Sequence, residues 1–318
     1  MSCLSIFKLK PLGFITSLIL FSQCLYAEGL AVIYPEIREP YRQIFLNIYQ
    51  GIETNYDGSV SAYILEKDSK PEALFSWVNT HKINGIIVLG NRSMRAILSL
   101  PSSSLTYKPL TIVGAVLIQP DSAKLSAITL VPEPSVIFKQ LINVLPKAKH
   151  VHVVYRQENT WFIEAAIKKA ANHGIKILGR KAENTREMAY LYRQILSQMD
   201  PKRDALWIAP YGRSPDKTVL KVILQEAWEN KLPVISSSLA DVKRGALFSF
   251  YTNNIEMGQE LVAFWKSEQK NVSKKFNVLP TKSVEIAVNL RTADHLDLYY
   301  SKKDRLEFGL MYPVPLDR

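Results

Sequence analysis

The sequence predicts an α/β fold built as two doubly wound lobes, and three observations carry that prediction. Short β-branched and apolar runs alternate with helix-length amphipathic segments from Leu30 to Leu290. The apolar runs are continuous, as in strands buried on both faces of a parallel sheet. The rhythm also occurs twice, with the extended stretch "QPDSAKLSAITLVPEP" (Gln119–Pro134) linking two β-α sets of similar size.

The first set opens with the strand "LAVIYP" (Leu30–Pro35). A helix follows in which Pro40 suits the first turn and Tyr41, Ile44, Phe45, Ile48 and Ile52 share one face. "VSAYILE" leads to the helix "PEALFSWVNTH", "GIIVLG" to "RSMRAILSL", and "LTIVGAVLI" closes the set. After the link, the helix "SVIFKQLINVLP" precedes the strand "HVHVVYR" (His150–Arg156). The next helix, "TWFIEAAIKKAANHG", stops at a glycine. "IKILGRKA" and "ALWIA" are strands, each followed by a helix. In "PVISSSLADVKRGALFSFYTNN" two strand-like runs flank a serine-rich polar loop. A helix over Ile255–Gln269 and the strand "VEIAVNL" follow.

The N-terminus reads as a secretory signal. Lys8 and Lys10 precede the apolar core "GFITSLILF", and Ala27 sits before Glu28, so cleavage is expected there. Cys24 admits a lipid anchor as the alternative, although Gln23 is a poor residue before a lipidated cysteine. Both cysteines of the 318-residue chain, Cys3 and Cys24, lie in this segment, which leaves the mature chain without thiol or disulfide. No later run has the length of a membrane-spanning helix. An exported, periplasmic protein without stable membrane insertion is expected. The net charge of +11 falls to +9 once Lys8 and Lys10 are removed. Its cations are interspersed with acids, as in "KDRLEF", which favours a solvated basic surface over a nucleic-acid partner.

Most chemistries lack their residues. There is no GxxxxGK[ST] loop, no G-x-G-x-x-G after the first strand of either set, and no G-x-S-x-G elbow. No cofactor and no catalytic residue is expected. His150 and His152 share one strand face but lack an evident third ligand, so they read as a strand-end pair rather than a zinc site. Asn253, with Glu256 three residues on, reads as a capping box. What remains is a set of aromatic and polar residues at strand ends. Tyr34, Glu36, Asn91 and Arg92 come from the first set, and Tyr155, Trp161, Tyr211, Ser237 and Tyr251 from the second. Rings that grip and polar groups that orient suit a small-molecule pocket. In open α/β sheets such a pocket lies beyond the carboxyl ends of the strands.

From "LAVIYPEIREPYRQIF" through "PSVIFKQLINVLPKAKHVHVVY", "DALWIAP", "AWENKLPVISSSLADVKRGALFSFYTNNIEMGQELV" and "AVNLRTADHL", the chain resembles the exported substrate-binding proteins of ABC transporters. The nearest group includes members that bind tryptophan and other aromatic amino acids. The resemblance implies a type I periplasmic-binding-protein fold: two Rossmann-like lobes, a multi-strand hinge, and a small organic ligand held between them. It implies a non-enzymatic protein that hands its ligand to an ABC permease. A ligand-sensing adaptor for a membrane sensor kinase is the alternative. Residues 28–131 with about 252–283 would form lobe 1 and 132–251 lobe 2, with the tail 284–318 docked on one of them. The sequence departs from the family in "IQPDSAKLSAITLVPEP", where Asp-Pro and Thr-Gly are usual, and in Pro210-Tyr211-Gly212, where a polar pair often stands.

Overall fold

A computed structural model describes residues 29–81, 83–100, 109–209, 215, 217–271 and 275–314. The signal segment ending at Ala27 lies outside them, as do Pro210-Tyr211-Gly212. The chain begins β1 (Gly29–Pro35), α1 (Tyr41–Asn55), β2 (Val60–Leu65), α2 (Pro71–Thr80), β3 (Ile83–Leu89), α3 (Gly90–Leu98), β4 (Leu110–Val116) and β5 (Ser126–Pro132). It continues α4 (Pro134–Val144), β6 (His150–Tyr155), α5 (Thr160–Ala171), β7 (Lys176–Lys181), α6 (Thr185–Leu196) and β8 (Asp204–Ile208). Then come α7 (Lys217–Glu229), β9 (Val234–Ser236), α8 (Leu239–Arg244), β10 (Phe248–Thr252), α9 (Asn254–Glu268) and β11 (Val278–Thr281). It ends β12 (Val284–Asn289), α10 (Leu290–His295), α11 (Lys302–Leu306) and β13 (Leu310–Tyr312).

Among the described residues these strands form two sheets. The first runs β11-β5-β4-β3-β1-β2 with every pairing parallel, and the second β13-β12-β10-β9-β8-β6-β7. Only the β10–β12 pair is antiparallel. The continuous apolar runs are explained by cores on both faces of each sheet. Along β1, Leu30, Val32 and Tyr34 enter one core while Ala31 and Ile33 enter the other. Along β8, Ala205 and Trp207 face one core and Leu206 and Ile208 its opposite. The period of two directs neighbours to opposite faces, and helices cover both.

Three sequence expectations are corrected. The extended link contains β5, a buried strand of the first sheet whose Thr129 hydroxyl donates to the Val116 carbonyl at 3.1 Å. The serine-rich loop contains α8. Ser236, which ends β9, is buried and donates to Asp241 of α8 at 2.7 Å, so it braces the fold. On α1, Tyr41 is exposed and the buried residues are Ile48, Gly51 and Ile52, because the contact is made by the later turns. There α9 approaches so closely that a Cβ on Gly258 would lie 2.2 Å from the Ile48 carbonyl oxygen.

The chain passes between the sheets at three described points: after β5, between β10 and α9, and between β11 and β12. The tail strands β12 and β13 pair with the second sheet. The crossing segments are stitched side by side. Glu133 N donates to the Thr281 carbonyl at 2.8 Å, and Asn253 N to the Ser283 carbonyl at 3.0 Å. Glu260 of α9 then accepts from the hydroxyls of Thr281 and Ser283, both at 2.8 Å. The expected capping box at Asn253 is therefore half formed. Its side chain accepts from Glu256 N at 3.1 Å, but its own N–H goes to Ser283. Because β5 and β10 both leave their sheets at their carboxyl ends, the carboxyl edges of the two parallel sets meet at this hinge.

Candidate functional site

A cavity of about 720 Å³ opens at the carboxyl edge of the first sheet, which is within the size range of small-molecule sites. Its wall is an aromatic pair. Tyr34, near the end of β1, and Phe45, from the second turn of α1, lie 6.2 Å apart with planes only 9° from parallel. Tyr34 is nearly buried, and burial raises its hydroxyl pKa although the Arg42 charge opposes the rise. Gly90 makes this packing possible. It starts α3 with φ of +81°, a conformation that favours glycine, and a Cβ there would press within 3.3 Å of the Phe45 ring.

Charged groups complete the lining. Glu36, Arg38 and Glu39 come from the segment between β1 and α1, Arg42 from the first turn of α1, Lys67 from beyond β2, and Arg92 from α3. Arg92 donates through Nη2 to the Glu66 carbonyl, which fixes its guanidinium between β2 and α3. Among the described residues none of Arg38, Arg42, Lys67 and Arg92 takes part in an ion pair.

Of the residues the sequence singles out, Tyr34, Glu36 and Arg92 line this cavity. Asn91 is exposed beside Arg92 in the first turn of α3 and is not part of the lining. Four others sit at carboxyl ends of the second sheet. Tyr155 ends β6, and Trp161 lies in the first turn of α5 with its ring 5.7 Å from the fully buried Phe162; Tyr155 and Trp161 are half-buried against the core. Ser237 follows β9 and donates to the Ile208 carbonyl at 3.4 Å. Tyr251 donates to Glu285, and burial first, then that carboxylate, pushes its hydroxyl pKa up. Tyr211 falls outside the described residues. A hydrogen bond joins the two edges: Gln119 Nε2, beyond β4, donates to the Glu158 carbonyl, beyond β6, at 3.1 Å.

Sequence reasoning missed Arg38, Arg42, Phe45 and Lys67. Arg38 and Arg42 stand four residues apart, Arg38 just before α1 and Arg42 in its first turn. That spacing at a helix entrance was the available signal for a cationic rim. Periodicity puts Phe45 on the helix's core face, and only the placement of Gly90 turns it into a cavity wall.

The histidine pair has its partner on the opposite edge. His150 Nδ1 lies 2.8 Å from Asp204 Oδ1 and His152 Nε2 3.1 Å from Oδ2, where β6 and β8 begin. Burial pushes the Asp204 carboxyl up. The Asp200 N–H and the two histidines outweigh that effect and hold it below the usual carboxylate value. No cluster of three or more His, Cys, Asp or Glu suited to a metal occurs among the described residues, and no described helix is long and apolar enough to cross a membrane.

The family described as ABC transporter substrate binding protein matches residues 103–303, nearly two thirds of the chain. No curated protein matches the sequence. Among solved structures, the ABC domain from Streptococcus pneumoniae in complex with L-Trp is 15% identical, covering 90% of this chain and 99% of its own, at a TM-score of 0.51. The ligand-free, open structure of a Clostridium difficile substrate binding protein with adhesive properties is 14% identical, covering 91% and 100%, at 0.61. A XylFII–LytSN complex gives 15% identity, 82% and 97% coverage, and 0.56. These likenesses show the fold: two α/β lobes of the type I periplasmic-binding-protein kind.

Proposed function

Because the chain belongs to the ABC transporter substrate binding protein family, we propose that it captures a small organic solute between its two lobes and delivers it to an ABC permease. The observation that carries this reading is the position of the cavity. It lies at the carboxyl edge of the first sheet, the edge that meets the second sheet's carboxyl edge across the hinge. Contacts from both lobes favour a closed state over an open one, and the closed shape is what a partner reads. The protein binds and releases without turnover. We read residues 28–131 with 252–283 as one lobe and 132–251 with the tail as the other.

In this reading Tyr34, Glu36, Arg92 and the neighbouring Asn91 hold the solute from the first lobe. Tyr155, Trp161, Tyr211 and Ser237 meet it from the second, with Tyr251 anchored at the hinge beside them. An amino acid is one candidate solute, supported by the L-Trp complex of the Streptococcus relative. A sensing role for a membrane kinase is the second reading. It is supported by the XylFII–LytSN complex, in which a protein of this fold is held by another protein. Export with cleavage near Ala27–Glu28 belongs to both, and N-terminal sequencing of the periplasmic fraction tests it.

The capture reading is tested by screening amino acids, peptides and metabolites against the mature protein. A ligand raises the melting temperature by mass action and compacts the particle in small-angle scattering. A broad screen giving neither effect argues against solute capture.

A further inference from the structure

Four cations converge on the cavity against two carboxylates: Arg38, Arg42, Lys67 and Arg92 face Glu36 and Glu39. Arg38 stands just before α1 and Arg42 in its first turn, and the Arg42 N–H donates to the Arg38 carbonyl at 3.3 Å, so both cations sit at one helix entrance. None of the four is neutralised by an ion pair among the described residues. Two helices add to the same field. The 15-residue α1 and the 9-residue α3 both begin at the cavity, with no acid in the first turn and no side-chain cap on either. Their N-termini direct further positive potential at it.

From this arrangement, and resting on the reading of the cavity as the capture site, we propose that the solute is an organic anion carrying a planar group and a carboxylate or phosphate. The parallel Tyr34–Phe45 wall takes the planar part. The guanidinium groups take the acidic part, because charge-assisted bonds to a planar fork are stronger than neutral ones. A zwitterionic amino acid carries no net charge and leaves the excess of two cations uncompensated. A neutral ring leaves it likewise.

The mature protein is titrated calorimetrically with phthalate, adenosine 5′-monophosphate, L-tryptophan and indole, each at low and high salt. Phthalate or the nucleotide is expected to bind and to weaken as salt screens the charges, and which of the two binds separates the carboxylate source from the phosphate source. Arg42→Gln and the exposed Arg38→Gln should each weaken that anion about tenfold, as loss of a charged hydrogen bond does. Arg42→Lys should retain part of the affinity. Tighter binding of L-tryptophan or indole than of either anion overturns the anion class and leaves solute capture standing. So does an anion affinity unchanged in both Gln variants. If neither anion binds while the broader screen finds a ligand, the anion class fails alone. If both screens fail, the capture reading beneath it fails too.

Discussion

Asn253 Nδ2 donates to Glu285 Oε1 at 2.7 Å, so the crossing from β10 to α9 is tied to the strand that follows the crossing from β11. The other carboxylate oxygen accepts from the Tyr251 hydroxyl. The same asparagine caps α9 by accepting from Glu256 N at 3.1 Å. One residue thus fixes where the chain turns into the helix and how two crossing segments sit together.

Replacing Asn253 by alanine removes both bonds. The expected cost is about 2 kcal/mol, from a lost helix cap and a carboxylate left short of one donor. Urea unfolding reads it as a lower midpoint with an unchanged slope. A midpoint equal to that of the wild type would show that the clasp contributes nothing to stability.

Asp204 makes stability depend on acid. Its folded pKa lies below the usual value, so its contribution is fully present above about pH 4 and is lost as pH falls through the lower, folded value. Asp204→Asn should destabilise the protein at pH 7 by roughly 2 kcal/mol, because His150 and His152 lose a charged acceptor. The gap between wild type and variant should narrow as pH drops below 4. Equilibrium unfolding across that range checks the trend, and a gap that stays constant would count against the assignment.

The α1–α9 contact leaves no room for a methyl group. A Cβ on Gly51 would lie 1.9 Å from the Ile255 carbonyl oxygen, and one on Gly258 2.2 Å from that of Ile48. Both obstacles are backbone, which cannot rotate aside. Gly258→Ala should therefore cost about 1–3 kcal/mol by overpacking, despite alanine's better helix propensity. A stabilised variant would mean that the helices separate freely.

Gln119 reaches across the cleft to the Glu158 carbonyl. Gln119→Ala should shift the balance between lobe arrangements by about 1 kcal/mol, the net worth of one hydrogen bond. Small-angle scattering without ligand should then report a larger radius of gyration than in the wild type. An identical scattering curve would show that this bond does not hold the lobes.

The regular elements were legible because local physics specifies them. Leu30–Pro35 and Ala205–Ala209 are continuous apolar runs, and such runs between amphipathic segments have few alternatives to a buried parallel strand. Elements whose partners are distant in sequence were not legible. Ser126 and Thr129 interrupt the apolar run of β5, so its sequence resembles a link, and both hydroxyls are satisfied by groups on other elements. β11 and β13 are three or four residues long and gain their meaning only from the edges they pair with.

The candidate site divides in the same way. Tyr34, Glu36 and Arg92 were found because strand ends can be located from periodicity and the carboxyl edge is where such sheets bind. Arg38, Arg42 and Lys67 were not, since the direction in which these cations point depends on how β1, β2, α1 and α3 pack. The sequence by itself determined the α/β class, the two repeated sets and the strand ends, because burial and helix period are written in neighbouring residues. The tertiary structure alone decided which sheet receives the tail, how Glu260 and Glu285 stitch the crossings, and which charges gather at the cavity. Those outcomes depend on residues far apart in the chain, and side-chain direction follows from packing that no local pattern encodes.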